Sequence, residues 1–191
     1  MPGLYIGSTS GYSGKNMIIM GLGLRFQKDG LNVGYMKPVG AMPLEKDGKL
    51  GDEDAFFVQD VLGLSQDPAL MTPVVVTHDF KVKAFASHCG NLLGDIAAAY
   101  GTLSKDHDLT LVGGSGSMYS GKYCCTDGVS VVKALGIKTI IIDRFQKELH
   151  YDYLVVLKEA LGDLLLGVVL NDIPPAFMEE VEGLIAPFLN S

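Results

Sequence analysis

The sequence predicts an α/β protein, a three-layer α/β/α sandwich built on a mainly parallel sheet. Continuous apolar segments rich in β-branched residues recur along the chain, and helical patterns separate them. Such unbroken segments fit strands that are buried on both faces, as they are in a parallel sheet. The 24 glycines supply the tight turns that join strands to helices.

Strand-like segments occur at separate places along the whole chain. They are LYIG (4–7), NVGYMKPVG (32–40), LTLVGG (109–114), KTIIID (138–143) and LLLGVVLN (164–171). Helices are predicted over residues 15–28, 53–62, 81–104, 128–135, 151–161 and 175–189. This alternation of strand and helix implies right-handed crossovers, so a ligand is expected beyond the carboxyl ends of the strands.

Most residues that could carry chemistry directly follow predicted strands. Lys37 ends the second strand, Gly113 follows the third and Asn171 closes the fifth. Asp54 is the exception, because it lies in GDEDAFF at the start of a helix. The polar segment EKDGKLGDED, residues 45–54, is expected to be a mobile loop beside the site.

Composition limits the classes of function. The 191 residues are enough for one domain with a sizeable core. A net charge of −7 without any cluster of Lys and Arg argues against nucleic-acid binding. No long apolar run occurs, and the N-terminal MPGLYIGS lacks the features of a signal peptide, so we expect a cytoplasmic protein that does not bind membranes. The cysteines, Cys89, Cys124 and Cys125, are expected to be reduced thiols.

The stretch GSTSGYSGKN, residues 7–16, joins the first strand to the first helix. A glycine-rich turn that opens a helix can hold a phosphate through backbone N–H groups and a lysine. The stretch departs from the pattern G-x-x-x-x-G-K-[ST] at both ends, since Thr9 occupies the first glycine position and Asn16 the hydroxyl position. The alternative is an ordinary turn with a surface lysine. The candidate nucleotide-binding residues here are Thr9, Ser10, Gly11, Tyr12, Ser13, Gly14, Lys15 and Asn16.

Several blocks of the sequence together resemble the dethiobiotin synthetase superfamily of P-loop proteins, which includes the cobyrinic acid a,c-diamide synthases. The blocks are STSGYSGKN, GYMKPVG, GDEDAFF, LVGGSGSMYSG and GVVLNDIP, in the order and at about the separations found in that superfamily. The spacing is most similar to the amino-terminal domain of phosphate acetyltransferases. The resemblance covers nearly the whole chain and implies a P-loop NTPase fold that binds ATP.

The resemblance also implies roles for individual residues. Lys15 would reach the outer phosphates, and Lys37 would help to hold a carboxyl or carbamate group of a substrate, so both are candidate catalytic residues. A second ammonium near the γ-phosphate would neutralise charge as an acid oxygen attacks phosphorus. Asp54 and Asn16 would be metal ligands, and Asn171 would join the nucleotide-binding residues by reading the adenine edge.

Three of these residues also have an ordinary structural explanation. Lys37 would be a strand-end lysine that reaches solvent, and Asp54 a first-turn acid that the helix dipole favours. Asn171 would be a turn residue ahead of a proline. The sequence leaves these alternatives open.

Two positions depart from the catalytic members of the superfamily. Those members end the third strand in a glutamate-glycine pair that helps to hold magnesium, but this chain has Gly113 and Gly114. Asn16 replaces the usual hydroxyl, and its longer amide is a poorer fit to octahedral Mg²⁺. Because phosphoryl transfer depends on charge neutralisation by the metal, these changes should impair catalysis more than binding. Mg²⁺ is therefore a doubtful cofactor.

We predict that residues 1–191 form a single P-loop domain that binds ATP or a related nucleotide, with a degenerate magnesium site and a regulatory or ligand-sensing role. Two alternatives stay open. One is an active ATP-dependent ligase acting on a small carboxylate, of the dethiobiotin synthetase or cobyrinic acid a,c-diamide synthase type. The other is an interaction domain with an empty pocket. The resemblance implies a homodimer, and the ending APFLNS is expected to precede a fused downstream domain.

Overall fold

The computed structural model of the chain describes residues 2–86, 89–146 and 151–190. The strands are β1 (Gly3–Ser8), β2 (Val33–Met36), β3 (Val39–Gly40), β4 (Pro43–Lys46), β5 (Lys49–Asp52), β6 (Val74–Val75), β7 (Leu109–Gly113), β8 (Lys138–Arg144) and β9 (Leu165–Asn171). The main helices are α1 (Lys15–Lys28), α2 (Glu53–Val61), α3 (Pro68–Met71), α4 (His78–Phe85), α5 (Leu92–Leu103), α6 (Gly128–Leu135) and α7 (Asp152–Leu161). The predicted α/β class is confirmed.

The central sheet has the strand order β2-β7-β1-β8-β9, and all its neighbours run parallel. Consecutive residues of β1 enter cores on opposite faces of the sheet. Tyr5 packs in one core with Val112, and Ile6 packs in the other with Leu111. The sheet is thus buried on both faces, which is the arrangement that the continuous apolar segments predict. Each of those predicted segments contains a strand of this sheet.

The predicted helix over residues 81–104 is wrong in its extent, because two helices replace it. The second one, α5, begins after Asn91, whose side-chain oxygen accepts a hydrogen bond from the Gly94 N–H at 3.2 Å. Gly90 just before it has a positive φ of 66°, a conformation that ends regular helix. Residues 87 and 88, inside the predicted helix, lie outside the described residues.

The segment 45–54 is not an irregular loop. It contributes to an antiparallel hairpin of β4 and β5 in which Pro43 pairs with Asp52. The turn residues Asp47 and Gly48 have φ values of 53° and 73°, the pair of positive angles that a two-residue Asp-Gly hairpin turn requires. The Asp-Gly dipeptide between Lys46 and Lys49 was the signal for this hairpin.

The C-terminal segment is helical over the predicted range, but it is not one regular helix. A 3₁₀ turn (Pro175–Phe177) leads into α8 (Met178–Glu180), a π-helical turn (Val181–Ile185) and α9 (Ala186–Asn190). Val181 and Ile185 are buried against the core that contains Tyr5. This segment therefore packs on the same side of the sheet as α7.

The prediction of three reduced thiols is wrong for two of them. Cys89 and Cys124 form a disulfide across 35 residues of sequence, with their Cα atoms 5.7 Å apart, and Cys125 is free and exposed. The tertiary fold brings the two residues within bridging distance, which sequence separation alone does not reveal. No helix in the described ranges has the length and apolar character needed to cross a bilayer.

Candidate functional site

The loop between β1 and α1 lies at the carboxyl edge of the sheet, next to the loops that follow β2 and β7. Gly14 ends this loop with a φ of 93°, which favours glycine. A Cβ atom on Gly14 would also lie 2.4 Å from the side-chain nitrogen of Asn171. Glycine is required at this position for both reasons.

Apart from the hydrogen-bonded turn at residues 11–12, the backbone N–H groups of residues 10–16 have no hydrogen-bond acceptor in the described part of the chain. By contrast, the Thr9 N–H donates to Ile142 O at 3.2 Å, and the Ile18 N–H donates to Gly14 O at 3.1 Å. The loop therefore presents a run of uncommitted donors at the N-terminus of α1. Such a run fits an anion such as phosphate.

Side-chain hydrogen bonds hold the loop in shape. The Ser8 hydroxyl contacts the carbonyl oxygens of Ser10 at 2.8 Å and Gly116 at 2.9 Å, and the Thr9 hydroxyl donates to Asp143. Tyr12 has a φ of 58°, and its side chain is 99% exposed. The tyrosine therefore contributes nothing to packing within the chain.

A cavity of about 530 Å³ opens beside this loop. It is lined by Gly11, Tyr12, Ser13, Gly14, Lys15, Asn16, Met17, Lys37, Ala41, Met42, Asp54, Gly114, Ser115 and Gly116. The structure thus brings most of the candidate residues from three separate segments into one place. Thr9, Ser10 and Asn171 do not line the cavity. The Thr9 side chain binds Asp143, and the side chains of Ser10 and Asn171 bind Ser13 of the loop.

Lys37 lies between two carboxylates. Its ammonium contacts Asp52 at 2.6 Å and Asp54 at 2.8 Å, and the side chain is only 5% exposed. The buried Asp52 also accepts hydrogen bonds from the Met42 N–H at 2.9 Å and the Ala55 N–H at 3.1 Å. Lys37 does not reach free solvent, so the alternative explanation of Lys37 as a strand-end lysine that reaches solvent fails.

Charge and burial shift the pKa values in the cavity. Burial, together with the charge of Lys37, lowers the pKa of Lys15, and Asp54 opposes this shift. Burial by itself would raise the pKa of Asp54, but the hydrogen bond and charge of Lys37, with help from Asn16 and Lys15, hold it below its usual value. Asp54 is thus ionised at neutral pH and already paired.

Asn171 lies at the end of β9, and its side-chain nitrogen donates to Ser13 O at 2.9 Å. Its backbone oxygen accepts from the Phe145 N–H at 2.8 Å. The residue therefore joins the end of the last strand to the glycine-rich loop. Its predicted contact with adenine stays a prediction.

Known proteins place this arrangement in a family. A family model described as an AAA domain matches residues 2–188. The chain belongs to this family.

Two curated relatives of the AAA-domain protein are ATP-dependent dethiobiotin synthetases named BioD. The one from Thermodesulfovibrio yellowstonii is 30% identical over 119 residues, which is 61% of this chain and 49% of the relative. The one from Methanocaldococcus jannaschii is 26% identical over 150 residues, which is 74% of this chain and 65% of the relative. The chain thus spans between about half and two thirds of the length of these relatives. The resemblance to the dethiobiotin synthetase superfamily is confirmed, and the closer likeness to phosphate acetyltransferases stays a prediction.

Solved structures are similar to the protein in fold alone. The chimerical protein CapA2B2 has a TM-score of 0.57 at 15% identity, over 91% of this chain and 76% of that chain. The signal recognition particle receptor FtsY from Elizabethkingia anophelis has a TM-score of 0.55 at 8% identity, over 88% of this chain and 49% of that chain. The kinase domain of the Escherichia coli tyrosine kinase ETK has a TM-score of 0.52 at 14% identity, over 90% of this chain and 68% of that chain. The chain is a P-loop nucleotide-binding domain.

Asn16 and Asp54, the two predicted metal ligands, both line the cavity beside the glycine-rich loop. No group of three or more His, Cys, Asp or Glu side chains that could hold a metal occurs among the described residues. The carboxylate of Asp54 is paired with the Lys37 ammonium at 2.8 Å. A Cβ atom on Gly113 would lie 2.9 Å from the Tyr35 hydroxyl oxygen, so even a small side chain would not fit there without movement.

Sequence reasoning did not assign a role to two acids of this region. Asp52 binds Lys37 and caps α2, and the Asp-Glu-Asp-Ala sequence at a predicted helix start was the signal for such a cap. Asp143 accepts the Thr9 hydroxyl from the neighbouring strand β8. No local pattern marks that second contact, because it depends on the order of strands in the sheet.

Proposed function

We propose that this protein binds ATP or a related nucleotide through residues 9–16 and acts as a regulatory or ligand-sensing domain with little phosphoryl transfer. The observation that carries the proposal is a contrast within one cavity. Most N–H groups of residues 10–16 are uncommitted, while the carboxylate of Asp54 is already paired with Lys37. The first feature favours phosphate binding, and the second disfavours metal-dependent chemistry.

Lys15 supplies the cation for the phosphates. It lines the cavity and makes no salt bridge within the described residues, unlike Lys37, whose charge is balanced by Asp52 and Asp54. Burial lowers the pKa of Lys15 in the free protein, which means that its charged form is poorly solvated there. An incoming phosphate would restore favourable interactions to that ammonium.

Calorimetric titration of the full chain with ATP, ADP and GTP, each with and without Mg²⁺, tests the proposal. We expect binding that changes little when Mg²⁺ is removed, and slow or absent release of ADP from ATP. Lys15→Met should weaken binding about tenfold or more, because it removes a charged hydrogen-bond donor. Lys28→Met is the matched control, since Lys28 lies at the exposed far end of the same helix.

The absence of binding for all three nucleotides, both with and without Mg²⁺, would overturn the proposal. The same conclusion would follow if Lys28→Met weakened binding as much as Lys15→Met did. A change in affinity confined to Lys15→Met would support it.

A ligase is the second candidate, and the extent of the cavity favours it. Beyond the glycine-rich loop the cavity continues along Ala41, Met42 and Ser115, which gives room for a second small molecule beside Lys37. Two relatives are named ATP-dependent dethiobiotin synthetases. Magnesium-dependent release of ADP on addition of a diamino acid, or of a corrinoid carboxylate with ammonia, would favour the ligase over the regulatory domain.

A further inference from the structure

A second cavity, of about 390 Å³, lies away from the glycine-rich loop, between α7 and the C-terminal helical segment. It is lined by Tyr151, Asp152, Val155, Glu180, Leu184, Ile185 and Phe188. None of these residues lines the first cavity. The volume falls in the range of cavities that hold small organic ligands.

The lining combines an apolar floor with acidic groups. Val155, Leu184, Ile185 and Phe188 are apolar, while Asp152 and Glu180 are carboxylates. The described lining includes no Lys, Arg or His. An apolar cavity whose described lining carries two acids is complementary to a ligand that has a hydrophobic body and a positive charge.

The backbone that forms one wall is irregular. Val181–Ile185 form a π-helical turn, a rare conformation that occurs frequently at functional sites. Val181 and Ile185 enter the core, while Leu184 on the same turn is 68% exposed and Phe188 just beyond it is 57% exposed. Leu184 and Phe188 both line the cavity.

A buried polar group lies next to the cavity. The hydroxyl of Tyr151 is enclosed and has no hydrogen-bond partner within the described residues, and the residue as a whole is 8% exposed. Burial raises the pKa of Tyr151, and the negative charges of Asp143 and Glu180 add to the effect. Because this hydroxyl is enclosed, it is not part of the surface that a ligand in the cavity would contact.

We propose that this cavity is a second ligand site, which binds an organic cation that consists of an apolar body and an ammonium group. The body packs on Val155, Leu184 and Phe188, and the ammonium lies between Asp152 and Glu180. The proposed site does not involve the nucleotide-binding residues, so this proposal does not depend on the proposed function.

Titration of the full chain with three probes of the same shape tests the charge requirement. The probes are 4-phenylbutylamine, 4-phenylbutan-1-ol and 4-phenylbutanoate. Calorimetry or NMR of the protein measures the binding of each probe. We expect saturable binding of the amine that is at least about tenfold tighter than that of the carboxylate, because the described lining offers two acids. The alcohol should fall between them.

Exposed acids allow variants that do not disturb the core. The double variant Asp152→Asn with Glu180→Gln should weaken the amine about tenfold or more and leave the alcohol unchanged, since it removes charge and keeps shape. Glu179→Gln, an exposed neighbour outside the lining, is the matched control. Leu184→Lys should abolish amine binding, because it places an ammonium of the chain itself at the exposed rim.

Three outcomes would overturn the proposal. They are no saturation by the amine up to its solubility limit, equal affinity for the amine and the carboxylate, and equal weakening by Glu179→Gln and by the double variant. Far-ultraviolet circular dichroism of each variant reports that it is folded, so the control does not depend on ATP binding. Loss of ATP binding in the wild-type protein would overturn the proposed function and leave this site untouched.

Discussion

The side-chain nitrogen of Asn171 lies 2.9 Å from the carbonyl oxygen of Ser13, a residue 158 positions earlier in the chain. This hydrogen bond fastens the end of β9, the outermost strand of the sheet, to the glycine-rich loop. The same amide nitrogen occupies the space that a Cβ atom on Gly14 would need. The loop and the strand end therefore constrain each other.

Replacing Asn171 should change the affinity for phosphates even when no base is present. We expect Asn171→Ala to weaken both ATP and inorganic tripolyphosphate about 3- to 10-fold, since one hydrogen bond contributes about 0.5–1.5 kcal/mol. Calorimetry measures both ligands, and Asn190→Ala in the exposed C-terminal turn is the control. Weakening of ATP with unchanged tripolyphosphate would instead mean that Asn171 reads the base.

Lys37 should be essential to stability. Lys37→Met leaves Asp52, which is 0% exposed, as a buried carboxylate without its cation, so we expect the free energy of unfolding to fall by about 3–5 kcal/mol. Urea denaturation measures it. Lys46→Met is the matched control, because its pair with Asp60 at 2.9 Å is exposed and should contribute less than about 1 kcal/mol. Equal losses in the two variants would contradict the buried role of Lys37.

Tyr35 occupies the space beside Gly113, the position at which catalytic members of the superfamily carry a glutamate. Gly113→Ala should lower the free energy of unfolding by about 1–3 kcal/mol, because its Cβ would lie 2.9 Å from the Tyr35 hydroxyl oxygen and 3.1 Å from Ile19 Cδ1. Tyr35→Phe removes a buried hydroxyl that has no partner within the described residues, so by itself it should cost little, and it should rescue part of the Gly113→Ala loss.

Thermal unfolding of the two single variants and the double variant measures this coupling. Gly101→Ala is the control, since a Cβ atom there meets nothing within 4 Å and should stabilise α5 by about 0.5–1 kcal/mol. Additive losses in the double variant would show that Tyr35 does not close the position.

Stability should depend on pH in opposite ways through two acids. Lys37 outweighs the effect of burial and lowers the pKa of Asp54, so the stability that Asp54 contributes is present above its unfolded pKa and is lost as pH falls through the lower folded value. Burial outweighs the Thr9 and Arg144 hydrogen bonds and raises the pKa of Asp143. Its contribution is therefore fully present below the unfolded pKa and is lost as pH rises through the folded value.

Urea denaturation of wild type, Asp54→Asn and Asp143→Asn between pH 3 and 7 checks both signs. The stability advantage of wild type over Asp54→Asn should shrink as pH falls below about 4, near the usual pKa of an aspartate. The stability of wild type relative to Asp143→Asn should instead fall as pH rises above about 4, because the folded pKa of Asp143 lies above the usual value. Parallel trends for the two variants would contradict the assigned environments.

The sequence by itself determined the fold class, the strands of the sheet and the place of the glycine-rich loop. These features are local: a continuous apolar segment predicts a buried strand, and a glycine-rich turn ahead of a lysine predicts an anion site at a helix start. It also determined that Gly113 and Asn16 depart from the pattern of catalytic relatives.

Only the tertiary structure decided what those residues contact. The pairing of Lys37 with Asp52, the bond from Asn171 to Ser13 and the closure of Gly113 by Tyr35 join residues far apart in sequence. The disulfide between Cys89 and Cys124 is a further case. Such contacts depend on the order of strands and on how side chains fill the space between packed elements, and a local sequence pattern contains neither.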